Sequence, residues 1–126
     1  MIKMDFKQIK LSETATRCCQ TFKNRTGLTP NIACRLALSL SLADDNTPST
    51  ELYASDDSGQ IINRYTFLGE HELPLLSLFV MWCHGKKVSG KEYYSYLMAH
   101  INRGAEMLLN RVKNLDDLTN LIGESK

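Results

Sequence analysis

The segment Pro30-Asn-Ile-Ala-Cys-Arg-Leu-Ala-Leu-Ser-Leu-Ser-Leu-Ala43 constrains the fold more than any other part of the chain. At helical spacing, Ile32, Ala33, Leu36, Ala37 and Leu40 fall on one side, and Cys34, Leu38 and Leu42 on another. A helix apolar on nearly every side must be covered on nearly every side, in a core or in an oligomer interface. Thr29-Pro30 marks its start, an N-cap followed by proline at the first helical position. Gly27 sits just before, where a preceding helix needs a left-handed residue to stop. That preceding helix covers Thr14 to Thr26 behind Ser12 as N-cap, with Ala15, Cys18, Cys19 and Phe22 at helical spacing. Lys7 to Leu11 alternates as a short strand does, Ile9 and Leu11 to one face and Gln8 and Lys10 to the other.

The stretch from Asp44 to Gln60 is acidic and rich in turn formers. Within and after it, Glu51 to Ala54 and Ile61 to Phe67 read as a β-hairpin closed by Asp57-Ser58-Gly59. Beyond Gly69, Leu73 to Cys83 places Leu75, Leu76, Phe79, Val80 and Cys83 on a broad apolar face that Gly85 ends. Ser89-Gly-Lys-Glu92 has the spacing of a capping box and opens a long helix with a stripe of Tyr94, Leu97, Ile101, Leu108 and Val112. Asn114 to Gly123 reads as a final short helix. The expectation is a mainly α, compact helical domain with an N-terminal ribbon-helix-helix-like strand-helix-turn-helix and a small β-hairpin. Its 126 residues suit a single domain, with a basic part (1–43), an acidic loop and hairpin (44–68) and C-terminal helices (69–126).

Charge is strongly polarised along a chain whose net charge is only +1. Residues 1–42 carry Lys3, Lys7, Lys10, Arg17, Lys23, Arg25 and Arg35 against Asp5 and Glu13. Residues 43–76 reverse this, with Arg64 facing Asp44, Asp45, Glu51, Asp56, Asp57, Glu70 and Glu72. An exposed basic head is the electrostatic footprint of a partner rich in phosphate, above all the DNA backbone. Three readings of it stay open. Lys3, Lys7, Lys10, Arg17, Lys23 and Arg25 can contact phosphate without regard to sequence. Gln8 and Lys10 can read bases as the paired strands of ribbon-helix-helix repressors do. The head can also be a solvated face that pairs with the acidic segment of another subunit. A second basic cluster, Lys86-Lys87-Val-Ser-Gly-Lys91, lacks Walker spacing and reads first as an exposed turn.

Enzymatic readings find little support. His71, His84 and His100 are scattered, the carboxylate pairs fall in turns or at a helix start, and no serine sits in a nucleophile elbow. Cys18, Cys19, Cys34 and Cys83 form no Cys-x-x-Cys and no zinc-ligand interval, so they read as small core hydrophobes of a reducing compartment. No cofactor or metal is expected. The longest apolar run is too short to span a bilayer and the first residues are charged at once, which points to a cytoplasmic chain without membrane contact. Gly104 inside the long helix costs about 1 kcal/mol relative to alanine, and close helix packing is the expected compensation. Arg103 beside it has Glu70, Glu72 or phosphate as candidate partners.

The order of several short motifs resembles the DndE family of DNA sulfur-modification proteins. They are Ile9-Lys-Leu-Ser-Glu-Thr-Ala, Arg25-Thr-Gly-Leu, Cys34-Arg-Leu-Ala-Leu-Ser-Leu, Tyr65-Thr-Phe-Leu-Gly-Glu, His100-Ile-Asn-Arg-Gly104 and Leu115-Asp-Asp-Leu. The resemblance covers nearly the full length. It implies a non-enzymatic component of the machinery that replaces a non-bridging phosphate oxygen of DNA with sulfur. Sulfur mobilisation then belongs to a cysteine desulfurase and the DndC protein, and ATP use to DndD. A DndE-like chain binds double-stranded DNA, associates with DndC and DndD, and forms a homo-oligomer. The family's basic surface carries over to Lys3, Lys7, Lys10, Arg17, Lys23 and Arg25 as a region. A dimeric ribbon-helix-helix transcriptional repressor is the alternative, although that motif leaves residues 43–126 without a task. A third reading is a persulfide relay through Cys18, Cys19 or Cys83.

Overall fold

The computed structural model describes residues 4–54, 56–113 and 117. Strand β1 (Gln8–Lys10) leads into helix α1 (Glu13–Thr26), which Ser12 caps by accepting the Ala15 amide at 3.0 Å. Gly27 ends α1 at φ 81°, with its amide on the Lys23 carbonyl at 2.7 Å. The left-handed geometry that stops a helix is thus supplied by the residue that adopts it most freely. Helix α2 (Pro30–Ala43) follows, then the single turn α3 (Thr50–Tyr53), strand β2 (Ile61–Asn63) and the short helix α4 (Arg64–Leu68). Helix α5 (Glu72–Gly85) and helix α6 (Tyr93–Arg111) complete the described chain, each entered through a short 3-10 turn. The helix expected over Asn114 to Gly123 lies outside the described residues, apart from Asp117.

Helix α2 is central. It packs along α6 and is flanked by α1, α4 and α5 of the same chain. Ala33, Cys34, Ala37, Leu38 and Ser41 are buried, with Leu36, Leu40 and Leu42 packed partly against the core. The cover demanded by an all-round apolar helix is therefore largely intramolecular, with Leu38 fully buried in the core of its own chain. At the closest crossing, Gly104 lies on the Ala37 backbone, where a Cβ would overlap the Ala37 carbonyl. That close approach explains a glycine in mid-helix. Helices α1 and α6 begin at the same end, since Tyr94 Oη donates to the Gln8 carbonyl at 3.1 Å and the Phe6 and Tyr94 rings lie 6.2 Å apart. They also finish together, with Arg25 donating to the Leu109 carbonyl at 3.4 Å.

The small sheet differs from the expected hairpin. Thr50 to Tyr53 forms a helical turn capped by Ser49, and Ile61–Asn63 pairs antiparallel with β1 instead, Ile9 opposite Ile62. Gly59 makes that long-range pairing possible. Its amide donates to the Leu11 carbonyl at 2.9 Å, and a Cβ there would overlap the Thr16 hydroxyl and the Leu11 and Ser12 carbonyls. The same pairing removes the basis of the ribbon-helix-helix repressor. Such a repressor pairs its strand with that of a second copy, whereas β1 here pairs with its own β2 and buries Ile9 completely.

Candidate nucleic-acid interface

Among the described residues, the basic side chains of the N-terminal segment are spread over both ends of α1. Lys7 is exposed at the β1 end of the helices, while Lys23 and Arg25 are exposed on the last turn of α1. A 14-residue helix separates the two groups by roughly 20 Å. On α1 the core face carries Ala15, Cys18, Cys19 and Phe22, so at 100° per residue Lys23 and Arg25 flank it on opposite sides and Arg17 points directly away. Arg17 stands 3.8 Å from Glu13 in an exposed pair. Lys3 lies outside the described residues. Lys10 is half-buried on the wall of a cleft of about 380 Å³, which it shares with Glu51, Tyr53, Asp57, Tyr94 and Asn102. Two carboxylates in that wall make the cleft a poor cradle for phosphate.

At the far end of α1 the arrangement is more favourable to an anion. Lys23 and Arg25 sit beside the Gly27 turn, and no side chain caps the first turn of α2. Its amides and the positive end of the α2 dipole are left for a ligand or water.

Several arginines counted in the sequence are committed inside the fold. Arg35 Nε donates to the Phe67 carbonyl at 2.6 Å, closing the end of α4. Arg64, the single cation of the acidic segment, pairs with Glu72 at 2.6 Å, donates to the Met4 and Phe6 carbonyls and lies 4.5 Å over the Phe6 ring. Arg103 bonds to neither Glu70 nor Glu72. It donates to the Ser41 hydroxyl at 2.9 Å, the Ser41 carbonyl at 2.8 Å and the Asn46 carbonyl at 2.5 Å, satisfying the end of α2. The Ser41 hydroxyl, which accepts from Arg103 Nε–H, also hydrogen-bonds His100 Nδ1, 2.7 Å away. His100 is wholly buried between Phe79 and Trp82, with ring centroids 6.1 and 4.3 Å from its own. Burial, with Arg103 adding to it, pushes its pKa down to about 3, so the ring is neutral and structural.

Residues 8–116 match the family described as DNA sulphur modification protein DndE. The chain belongs to the DndE family. Its fold resembles that of DndE from Escherichia coli B7A, a protein involved in DNA phosphorothioation modification. That likeness has a TM-score of 0.68 and 26% identity, over 81% of this chain and 97% of the other. A glycine-to-lysine variant of DndE involved in DNA phosphorothioation shares the fold at TM-score 0.67 and 24% identity, covering 83% of this chain and 99% of that one. No curated protein matches the chain in sequence.

For a DndE-family chain the cysteines are the residues most open to a sulfur-handling role. All four are buried free thiols. Burial raises the pKa of Cys18, with Glu106 reinforcing it, and pushes Cys83 up to about 12. Cys34 hydrogen-bonds to Cys19 and is held well above the ordinary thiol range, leaving Cys19 the more acidic of the two. Cys19 is nevertheless only 1% exposed, and a carrier needs both a thiolate and access. Among the described residues no three His, Cys, Asp or Glu side chains cluster as metal ligands, and no helix is long and apolar enough to cross a membrane. The structural tasks of Arg64 and Gly59 escaped the sequence, because both depend on partners about fifty residues away.

Proposed function

We propose that this DndE-family chain is a non-enzymatic, DNA-binding subunit of the phosphorothioation machinery, one that holds the sugar–phosphate backbone of duplex DNA by charge and not by base identity. Family membership supplies the DNA-modification context. The observation that carries the binding mode is the α1–α2 turn, where exposed Lys23 and Arg25 stand beside the uncapped start of α2. Lys7 adds a contact at the other end of α1, and Lys3, Lys10 and Arg17 are flanking charges of the same proposal. DndC and DndD are the proposed protein partners. A second copy of the chain is also part of this reading. On the outer face of α5, Leu73, Leu78 and Met81 are 62%, 54% and 68% exposed, and from Leu73 to Cys83 that helix carries no charge that would favour solvent.

The test is a fluorescence titration of unrelated 30-base-pair duplexes at several salt concentrations. The expected affinities are equal across sequences, with log affinity falling by about 0.9 per phosphate contact for each tenfold rise in salt. Reversing charge at Lys7, Lys23 and Arg25 together is expected to flatten that slope in a variant that stays folded. A folded triple variant with the parent's slope removes these residues from the interface. A strong preference for one duplex at physiological salt overturns the sequence-indifferent reading.

A further inference from the structure

We propose that the loop joining α5 to α6 is a second phosphate-contacting surface, which meets the backbone of duplex DNA through Lys86, Lys87 and Lys91. This rests on the DNA-binding reading above and adds a site to it. All three lysines are exposed, and among the described residues none of them forms an ion pair. In the N-terminal segment, by contrast, Arg17 pairs with Glu13 and Arg35 is committed to the Phe67 carbonyl.

The backbone of the loop adds a separate observation. Among the described residues, Lys87 is the non-glycine residue with positive φ, at 59°. The amides of Lys86, Lys87 and Val88 fold back onto the Trp82, His84 and Cys83 carbonyls at 3.0, 3.2 and 2.9 Å, the pattern that ends a helix through a left-handed residue. Glycine fits that position without strain and a lysine does not. A Cβ-bearing cation held where glycine is favoured points to a use for the side chain. The loop is open as well, since a Cβ on neighbouring Gly90 would meet nothing within 4 Å.

The position of the loop completes the case. Tyr94 stands three residues after Lys91 and binds the Gln8 carbonyl, so the start of α6 lies against the strand next to Lys7. Lys7 is therefore joined at its end of the helices by the loop lysines, while Lys23 and Arg25 lie at the far end of α1. Basic groups at both ends of a rod-like helix suit a ligand that extends past a single turn of the protein, as a duplex does.

The experiment compares three proteins on one random duplex across a salt series: the parent, a Lys86→Glu/Lys87→Glu/Lys91→Glu variant, and Lys87→Gly. The triple variant is expected to bind at least tenfold more weakly at low salt, with a slope shallower by about 2 to 3. Lys87→Gly relieves the backbone and removes one cation, so it is expected to melt no lower than the parent and yet lose about 0.9 of slope. Better or equal stability with weaker DNA binding is a result that misfolding does not produce. If the parent binds DNA and both variants keep its slope, the loop inference is wrong and the DNA-binding reading stands. A parent that binds no duplex overturns both. Loss of self-association in light scattering with an unchanged slope assigns the loop to the acidic 43–76 segment of a second copy, and also overturns the inference.

Discussion

Gly104 lies directly on the Ala37 carbonyl, and this contact sets the distance between the two central helices. Helix α2 runs antiparallel to α6, so that Ser41 meets His100 where Ala37 meets Gly104. The neighbouring atom is backbone, which cannot swing aside as a flexible side chain does. Gly104→Ala is therefore expected to cost about 3 kcal/mol or more, despite alanine's better helix propensity. Urea unfolding measures it, and a variant as stable as the parent would show that the helices are not in such close contact.

His100 links stability to pH. Its folded pKa of about 3 lies below the value of a free histidine, so protonation favours the unfolded chain. Its contribution is complete above roughly pH 6.5 and is lost progressively as pH falls toward the folded value. Between pH 7 and pH 5 the loss is about 2 kcal/mol. His100→Asn keeps an acceptor for the Ser41 hydroxyl and cannot titrate, so it is expected to be less stable at neutral pH and to lack that slope. Denaturant midpoints at pH 7, 6 and 5 decide it. A parent with no pH dependence in this window would refute the assignment.

Arg103 is expected to matter for folding and not for DNA. Removing it strips the Ser41 and Asn46 carbonyls of a charged donor at the end of α2. Arg103→Met, which keeps much of the side-chain volume, is expected to lose roughly 2 kcal/mol and to leave the salt slope of DNA binding unchanged. A shallower slope in a folded variant would place Arg103 at the phosphate surface after all.

The cysteines separate a binding subunit from a sulfur carrier. Replacing Cys18, Cys19, Cys34 and Cys83 by alanine removes four buried thiols, and a stability loss of about 1 kcal/mol at each is expected from lost packing. DNA binding, assembly and phosphorothioate formation in cells are expected to persist, as measured by nuclease digestion and mass spectrometry of the DNA. Disappearance of DNA sulfur with a folded, DNA-binding variant would favour the relay.

Local signals in the chain were enough to specify much of the architecture. Ser12, Gly27 and Thr29-Pro30 bound α1 and α2 because caps and left-handed stops act within a few residues. The apolar faces of α2, α5 and α6 followed from helical periodicity in the same way. The expected hairpin failed because strand pairing is decided by non-local contact. Ile61–Asn63 has hairpin-like neighbours in sequence, yet it finds its partner in Gln8–Lys10 once Gly59 lets the chain pass close over α1. The arrangement of the basic residues is non-local for the same reason. Charge can be counted along a sequence, but whether Lys7 and Lys23 face one ligand together depends on the helix between them. Only the tertiary structure decided that Arg35, Arg64 and Arg103 serve the fold and that Tyr94, at the start of α6, meets Gln8 beside Lys7, because those partnerships join residues far apart in the chain.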